Sequence, residues 1–103
     1  MNYYADVILP LPIQGTFTYQ LTIEQSKLLG VGHRVAVSFG KRKIYTGVIK
    51  QIHNQKPDFS KVKPIEFSYD KKAFVTELQI KFWSWISKYY FTPIGDVLKA
   101  AIP

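Results

Sequence analysis

The strongest concentration of chemistry in this chain is a single turn. Gly40-Lys41-Arg42-Lys43 sets three consecutive cations beside a glycine, whose N–H has no side chain in the way of a phosphate oxygen. The net charge of +7 has one source. Residues 33–63 hold Arg34, Lys41, Arg42, Lys43, Lys50, Lys56, Lys61 and Lys63 against the single acid Asp58, while outside that window six lysines balance six carboxylates. An evenly spread excess would serve solubility, whereas one confined to a third of the chain has the electrostatic footprint of a phosphate-backbone binder. The plainer alternative is a solvated basic loop with no partner.

Catalytic chemistry does not assemble. There is no cysteine, hence no thiolate nucleophile, thiolate zinc site or disulfide scaffold, which fits a reducing cytoplasm. His33 and His53 are the only imidazoles, and neither has a second histidine at the i+4 spacing of a helical metal pair. His33 beside Arg34 reads as a turn residue. Phe39-Gly40-Lys41 has the Gly-Lys pair of a P-loop without its upstream glycine or the following Ser/Thr, and Gly30-Val31-Gly32 lacks the third glycine of a dinucleotide fingerprint. Asp6, Glu24, Glu66 and Asp70 are scattered over different elements, so no carboxylate pair is encoded locally.

The elements that must position the basic turn are mostly strands. Residues 3–9 carry aromatic and β-branched side chains and stop at Pro10-Leu11-Pro12. Phe17, Tyr19 and Leu21 alternate with polar residues, as do Val35, Val37 and Phe39, so each set lines one face of a half-buried strand. Residues 44–52 resume β character and make a hairpin with 34–39, its tip being the basic turn; Gly47 within it marks either a bulge or the close approach of another backbone. Between 22 and 33 the pattern is loose and reads as a glycine turn. Residues 53–61 read as a polar loop, and Val62 to Tyr69 as an edge strand with Pro64 near its start. Thr76-Glu77-Leu78-Gln79 then matches a capping box, and Leu78, Phe82, Trp85, Ile86 and Tyr89 follow at helical spacing, a stripe expected to pack on the sheet with Trp83 and Tyr90 on its flanks. Thr92-Pro93 reads as the N-cap and first turn of a short second helix over 94–100.

These pieces predict one α+β domain over residues 1–103: a compact, mostly antiparallel, barrel-like sheet of about five to seven strands, with one amphipathic helix and a short second helix at the C-terminus. Its 47% hydrophobic content and 16 aromatic residues supply a core. No apolar run approaches the ~18 residues of a membrane span, and the first residues lack the basic segment of a signal peptide, so the chain reads as soluble and cytoplasmic.

Taken in order, Val7-Ile8-Leu9-Pro10-Leu11-Pro12, Thr16-Phe17-Thr18-Tyr19, Val37-Ser38-Phe39-Gly40-Lys41, Lys63-Pro64-Ile65 and Tyr89-Tyr90-Phe91-Thr92-Pro93-Ile94-Gly95-Asp96-Val97-Leu98 carry a resemblance. The chain resembles, over essentially its whole length, the N-terminal domain of the bacterial primosomal protein N′ (PriA) family of replication-restart helicases. The resemblance implies a non-catalytic module that binds the 3′ end of a nascent leading strand at a stalled fork and places a 3′-to-5′ helicase for primosome assembly. It also implies that these residues are the N-terminal fragment of a larger helicase. A pocket for the terminal nucleotide would involve Phe17, Thr18, Gly40 and Lys63, with Lys41, Arg42, Lys43 and Lys61 on nearby phosphates. Phe17 alternates as a core residue, so core packing and ligand contact are equally open for it. No cofactor and no metal is implied for this chain, while the full-length family uses ATP, magnesium and zinc. The implied partners are DNA with a free 3′-hydroxyl and, at full length, single-strand-binding protein and other primosome proteins; no membrane is implied.

One position departs from the family. Asp is common where this chain has Thr18, and Thr keeps an acceptor while adding a donor and removing the charge. The expectation is that 3′-end binding survives, with any base preference set by the carboxylate weakened or altered. Two other functions remain open: a basic protein-interaction module contacting acidic partners or the helicase core, and an RNA-binding barrel, which would need aromatics exposed on its sheet.

Overall fold

The computed structural model describes residues 2–41, 43–58, 61–69 and 72–102. Its centre is β1 (Tyr3–Ile8), which pairs with β2 (Phe17–Leu21) on one side and with the long β4 (Ile44–His53) on the other. β3 (Arg34–Ser38) and the two-residue β5 (Phe67–Ser68) complete a five-stranded sheet in the order β2-β1-β4-β3-β5, every pair antiparallel. Alternation sorts the side chains into two cores. Ala5, Val7, Tyr19, Leu21, Val35, Val37 and Ile49 fill one, inside the curl of the sheet. Ile8 and Val48 point the other way, toward the helices. The faces expected for residues 17–21 and 35–39 are therefore the observed ones.

The stretch read as a strand over 62–69 does something different. Only Phe67–Ser68 forms a strand, and it is an edge, as Pro64 suggested. Before it, Lys63 and Ile65 exchange backbone bonds with Gln20 of β2: Gln20 N–H donates to the Lys63 carbonyl at 2.8 Å, and Ile65 N–H to the Gln20 carbonyl at 3.3 Å. Glu66 N–H and Tyr69 N–H then donate to the carbonyls of Ala36 and Arg34 on β3. One short segment thus ties β2 to β3, curling the sheet into a partial barrel with Ile65 buried inside. The link to β2 is a single parallel bridge, between Gln20 and Pro64. The backbone of Pro64 itself faces away from β2, so its missing N–H costs that bridge nothing.

The region left as a turn between 22 and 33 contains a helix, α1 (Ile23–Leu28), closed by a reciprocal capping box between Thr22 and Gln25. None of its residues is buried, so no apolar period announced it. The same capping box between Thr76 and Gln79 opens α2 (Glu77–Tyr89), as expected. The face of α2 that meets the sheet is not the expected one. Ile80 and Trp83 are buried and Ile86 packs beside them, whereas Leu78, Phe82, Trp85 and Tyr89 are 55–76% exposed. Both stripes of this helix are apolar, and periodicity alone cannot choose between them. The outer rings cover one another instead: Phe82 stacks on Trp85 at 6.2 Å and Trp85 on Tyr89 at 5.1 Å.

α3 (Ile94–Ala101) starts at Pro93, which is the N-cap; Thr92 does not cap it, its hydroxyl donating to the Tyr90 carbonyl. Gly95 brings this helix against the proline-rich stretch after β1. A Cβ there would lie 2.1 Å from the Leu9 carbonyl oxygen and 2.2 Å from that of Leu11. Gly47 is the same kind of position, a Cβ meeting Val7 and the Ile8 carbonyl, so close approach is its explanation; the irregularity in the ladder lies between Asp6 and Val7.

Two outcomes follow. Gly95→Ala overpacks a backbone contact and is expected to lower stability by about 1–3 kcal/mol, read as a fall in the denaturant midpoint; an unchanged midpoint would contradict the packing described. Tyr19 is buried with its hydroxyl on the Ser38 carbonyl at 2.8 Å, and burial pushes its pKa from 10.0 up to about 12. Between those values the unfolded chain ionises and the folded one does not, so this contribution is intact below pH 10 and lost as pH rises toward 12. Tyr19→Phe should show a shallower loss of stability across that window than the parent chain.

Candidate nucleic-acid interface

β2 is the edge strand on which a site is built. Because Gln20 turns both its N–H and its C=O outward to Lys63 and Ile65, Thr18, two residues earlier, turns its own backbone groups to the same side. There the covering segment has diverged, and an open cavity of about 320 Å³ lies between them, lined by Thr16, Phe17, Thr18, Tyr19, Ser38, Phe39, Gly40, Lys61 and Lys63. The structure therefore brings together Phe17, Thr18, Gly40 and Lys63, with Lys61 beside them. Lys41 and Lys43 are exposed but do not line the cavity. Arg42 lies outside the described residues.

The hydrophobic side of the cavity is continuous with the inner core. Phe17 meets Phe39 edge-on at 4.6 Å, and Phe39 meets Tyr45 at 6.4 Å. Phe17 thus both packs on the core and walls the cavity, which joins its two expected roles. Opposite, the β3–β4 turn is closed by Phe39 N–H on the Lys43 carbonyl at 3.1 Å. Gly40 sits in it at φ 72°, and among the described residues nothing beyond its chain neighbours lies within 4 Å of where a Cβ would be. That is a left-handed position which only glycine occupies without strain, and it leaves the backbone open to an approaching ligand.

The Thr18 side chain faces away from Phe17 and Tyr19, toward β1. Asp6 is its register partner, and the pair lies at a position with no backbone bonds between the strands, where side chains approach most closely. The Thr18 hydroxyl donates to Asp6 Oδ1 at 2.8 Å, and His53 Nε2 meets the same oxygen at 3.0 Å. The His53 ring stacks on Tyr4 at 6.1 Å. Sequence reasoning set Asp6 aside as a scattered acid and left His53 in a loop, although it is the last residue of β4. No spacing signal could have joined residues 6, 18 and 53, which meet only through strand pairing. His33 is buried in a turn, with Gly30 N–H donating to its Nδ1 at 3.0 Å. Among the described residues no three His, Asp or Glu side chains gather as a metal site, and no helix is long and apolar enough to cross a membrane.

Comparison with known proteins converges on one family. A family model described as the 3′ DNA-binding domain (3′BD) matches residues 6–103. The replication restart protein PriA of Treponema pallidum (strain Nichols) is 24% identical over 104 residues, covering 97% of this chain and 16% of that protein. Its counterpart from Buchnera aphidicola subsp. Acyrthosiphon pisum is 27% identical, covering 94% of this chain and 13% of that protein. The Rickettsia felis protein is 26% identical, over 90% of this chain and 14% of its own length. The chain spans less than a fifth of the length of these relatives. Matched from Asp6 to the last residue, the chain belongs to the 3′ DNA-binding domain family of PriA.

Proposed function

We propose that this domain recognises the 3′ end of a DNA strand by taking the terminal nucleotide into the cavity beside β2. The observation that carries the reading is the convergence of two kinds of group on one small space: outward backbone groups of Thr18 with the open Gly40 turn, and the cations of Lys61 and Lys63. A volume of about 320 Å³ lies at the small end of ligand pockets, suited to one terminal residue rather than a run of them. A terminal ribose with a free hydroxyl enters such a space, whereas an internal nucleotide would have to continue through the walls of Phe17 and Phe39. Lys63 serves the phosphate behind the last nucleotide, and Lys41, Arg42 and Lys43 serve phosphates further along. In a longer protein this domain would hold the 3′ end of a nascent leading strand at a stalled fork and place a 3′-to-5′ helicase for primosome assembly, single-strand-binding protein being a partner of that assembly. Supporting this wider role are the family match and the relatives' shared name, replication restart protein.

A second reading, a protein-interaction module, draws support from the exposed rings of Phe82, Trp85 and Tyr89 on α2. It predicts that DNA binding is indifferent to the basic turn.

Fluorescence titration with short oligonucleotides tests the first reading. A 3′-hydroxyl end should bind at least tenfold more tightly than a 3′-phosphate end; equal affinities defeat the end-binding model. Replacing Lys41, Arg42 and Lys43 together by alanine should weaken binding with folding intact and flatten the log–log salt dependence by about two units, at roughly 0.7 per phosphate contact to a single strand. An unchanged affinity and slope would favour the protein-interaction reading.

A further inference from the structure

We infer that the outer face of the sheet behind the basic turn is a stacking platform for single-stranded DNA leading into the cavity, with the Tyr69 ring as its floor. The inference rests on the end-binding reading above and extends it from the last nucleotide to those behind it. A cavity that takes one nucleotide leaves the next ones on the surface. Ser38 and Gly40 line the cavity, and the exposed Lys41 and Lys43 continue over its rim. Beyond the rim lies the side of β3 and β4 that faces away from the inner core.

On that side the register lays a row of residues across three strands. Thr46 of β4 pairs with Ala36 of β3, and Ala36 with Phe67 of β5. Antiparallel partners share a face, so all three project opposite to Val35 and Val37. The row stands two residues along β3 from Ser38, a distance of about 7 Å. Tyr69, just after β5, donates its N–H to the Arg34 carbonyl on β3. Its hydroxyl nevertheless accepts from Thr46 on β4 at 3.1 Å. A side chain that starts on one side of β3 and ends on the other must lie across it, which explains why Ala36 beneath is fully buried. One face of the Tyr69 ring is thus turned to the sheet and the other to solvent, and Tyr69 and Phe67 remain 46% and 52% exposed.

The ring is fastened before any ligand arrives. Phe67 packs against it edge-on at 4.9 Å, and the Arg34 guanidinium lies 5.8 Å from its centroid and 3.9 Å from that of Phe74. Little rotamer entropy is left to lose on binding. The surroundings select the occupant. β3, β4 and β5 carry Arg34 and Lys50 and no Asp or Glu, Lys41 and Lys43 stand at the turn, and Glu66 is the acid that adjoins Phe67. An exposed aromatic face among cations is the combination that holds single strands without regard to sequence, the bases stacking on rings while the cations follow the phosphates.

The test is competition anisotropy with a dinucleotide and an octanucleotide of DNA, each ending in a 3′-hydroxyl, and with the octanucleotide made abasic at the third to fifth positions from that end. The abasic strand should bind roughly five- to a hundredfold more weakly than the intact one, the range for loss of a stacked base. Tyr69→Ala should cause a loss of the same size for the intact octanucleotide, add nothing to the abasic loss and leave the dinucleotide within about twofold. The log–log salt slope should not change, because stacking releases no counterions. Tyr69→Phe keeps the ring and should keep most of the affinity. Indifference to the abasic positions, or a Tyr69→Ala variant that weakens dinucleotide and octanucleotide alike, would overturn the inference. So would a Tyr69→Ala variant that binds every strand as the parent does, an outcome that gives this face to a protein partner. The ratio of 3′-hydroxyl to 3′-phosphate affinity, measured on the dinucleotide, is the separate control. An intact ratio without loss at the abasic positions removes only the platform, whereas a lost ratio with the Tyr69-dependent loss still present removes the end-binding reading and leaves the platform standing.

Discussion

The backbone bonds that Gln20 exchanges with Lys63 and Ile65 hold β2, and those from Glu66 and Tyr69 hold β3. Between them lie only a few residues, so the curvature of the sheet is set by how far that segment can reach. The inner core follows from this closure: Ile65 is carried inward, and Tyr19 reaches across to the Ser38 carbonyl. The cavity follows too. It opens where the covering segment leaves β2, which places Lys61 and Lys63 on one wall and the β3–β4 turn on the other. The link to β2 is a single bridge, and a longer ladder would have covered the Thr18 backbone.

Thr18 illustrates how an edge strand divides labour within one residue. Its backbone groups belong to the open side, and its side chain belongs to the face shared with Asp6 and His53. A substitution at this position can alter the chemistry of the side chain while leaving the backbone groups where they are. This is the physical reason that an exchange of the Thr18 side chain need not disturb the cavity itself.

Much of this was legible in the residues. The alternation of Phe17, Tyr19 and Leu21 and of Val35, Val37 and Phe39 placed both strands and their inner faces, because a period of two has only one buried solution on a half-covered sheet. The Thr76–Gln79 box located the start of α2 because both of its bonds are local. The face of that helix was not legible: Leu78-Phe82-Trp85-Tyr89 and Ile80-Trp83-Ile86 are both apolar, and the choice was made by the sheet. α1 escaped notice because a six-residue helix with no buried side chain leaves only its cap as a sign. The four pocket positions were named through family resemblance, and two of them, Gly40 and Lys63, also stood out by charge and conformation. Asp6 and His53 could not be found that way, since they join Thr18 only through the register of three strands.

An unpaired strand edge is ordinarily a hazard, since its free N–H and C=O groups can template another strand and seed aggregation. In this fold the far end of the sheet is a strand of two residues, too short to serve as a template. The near end is covered at Gln20 and left open only around Thr18, beside two lysines and opposite a cationic turn. A second polypeptide laying itself along that gap would bring its backbone into a concentration of positive charge with room for little more than one residue. The length of the opening and the cations around it thus act together as a guard against β-strand addition, and a small anion-bearing ligand is the occupant they leave admissible.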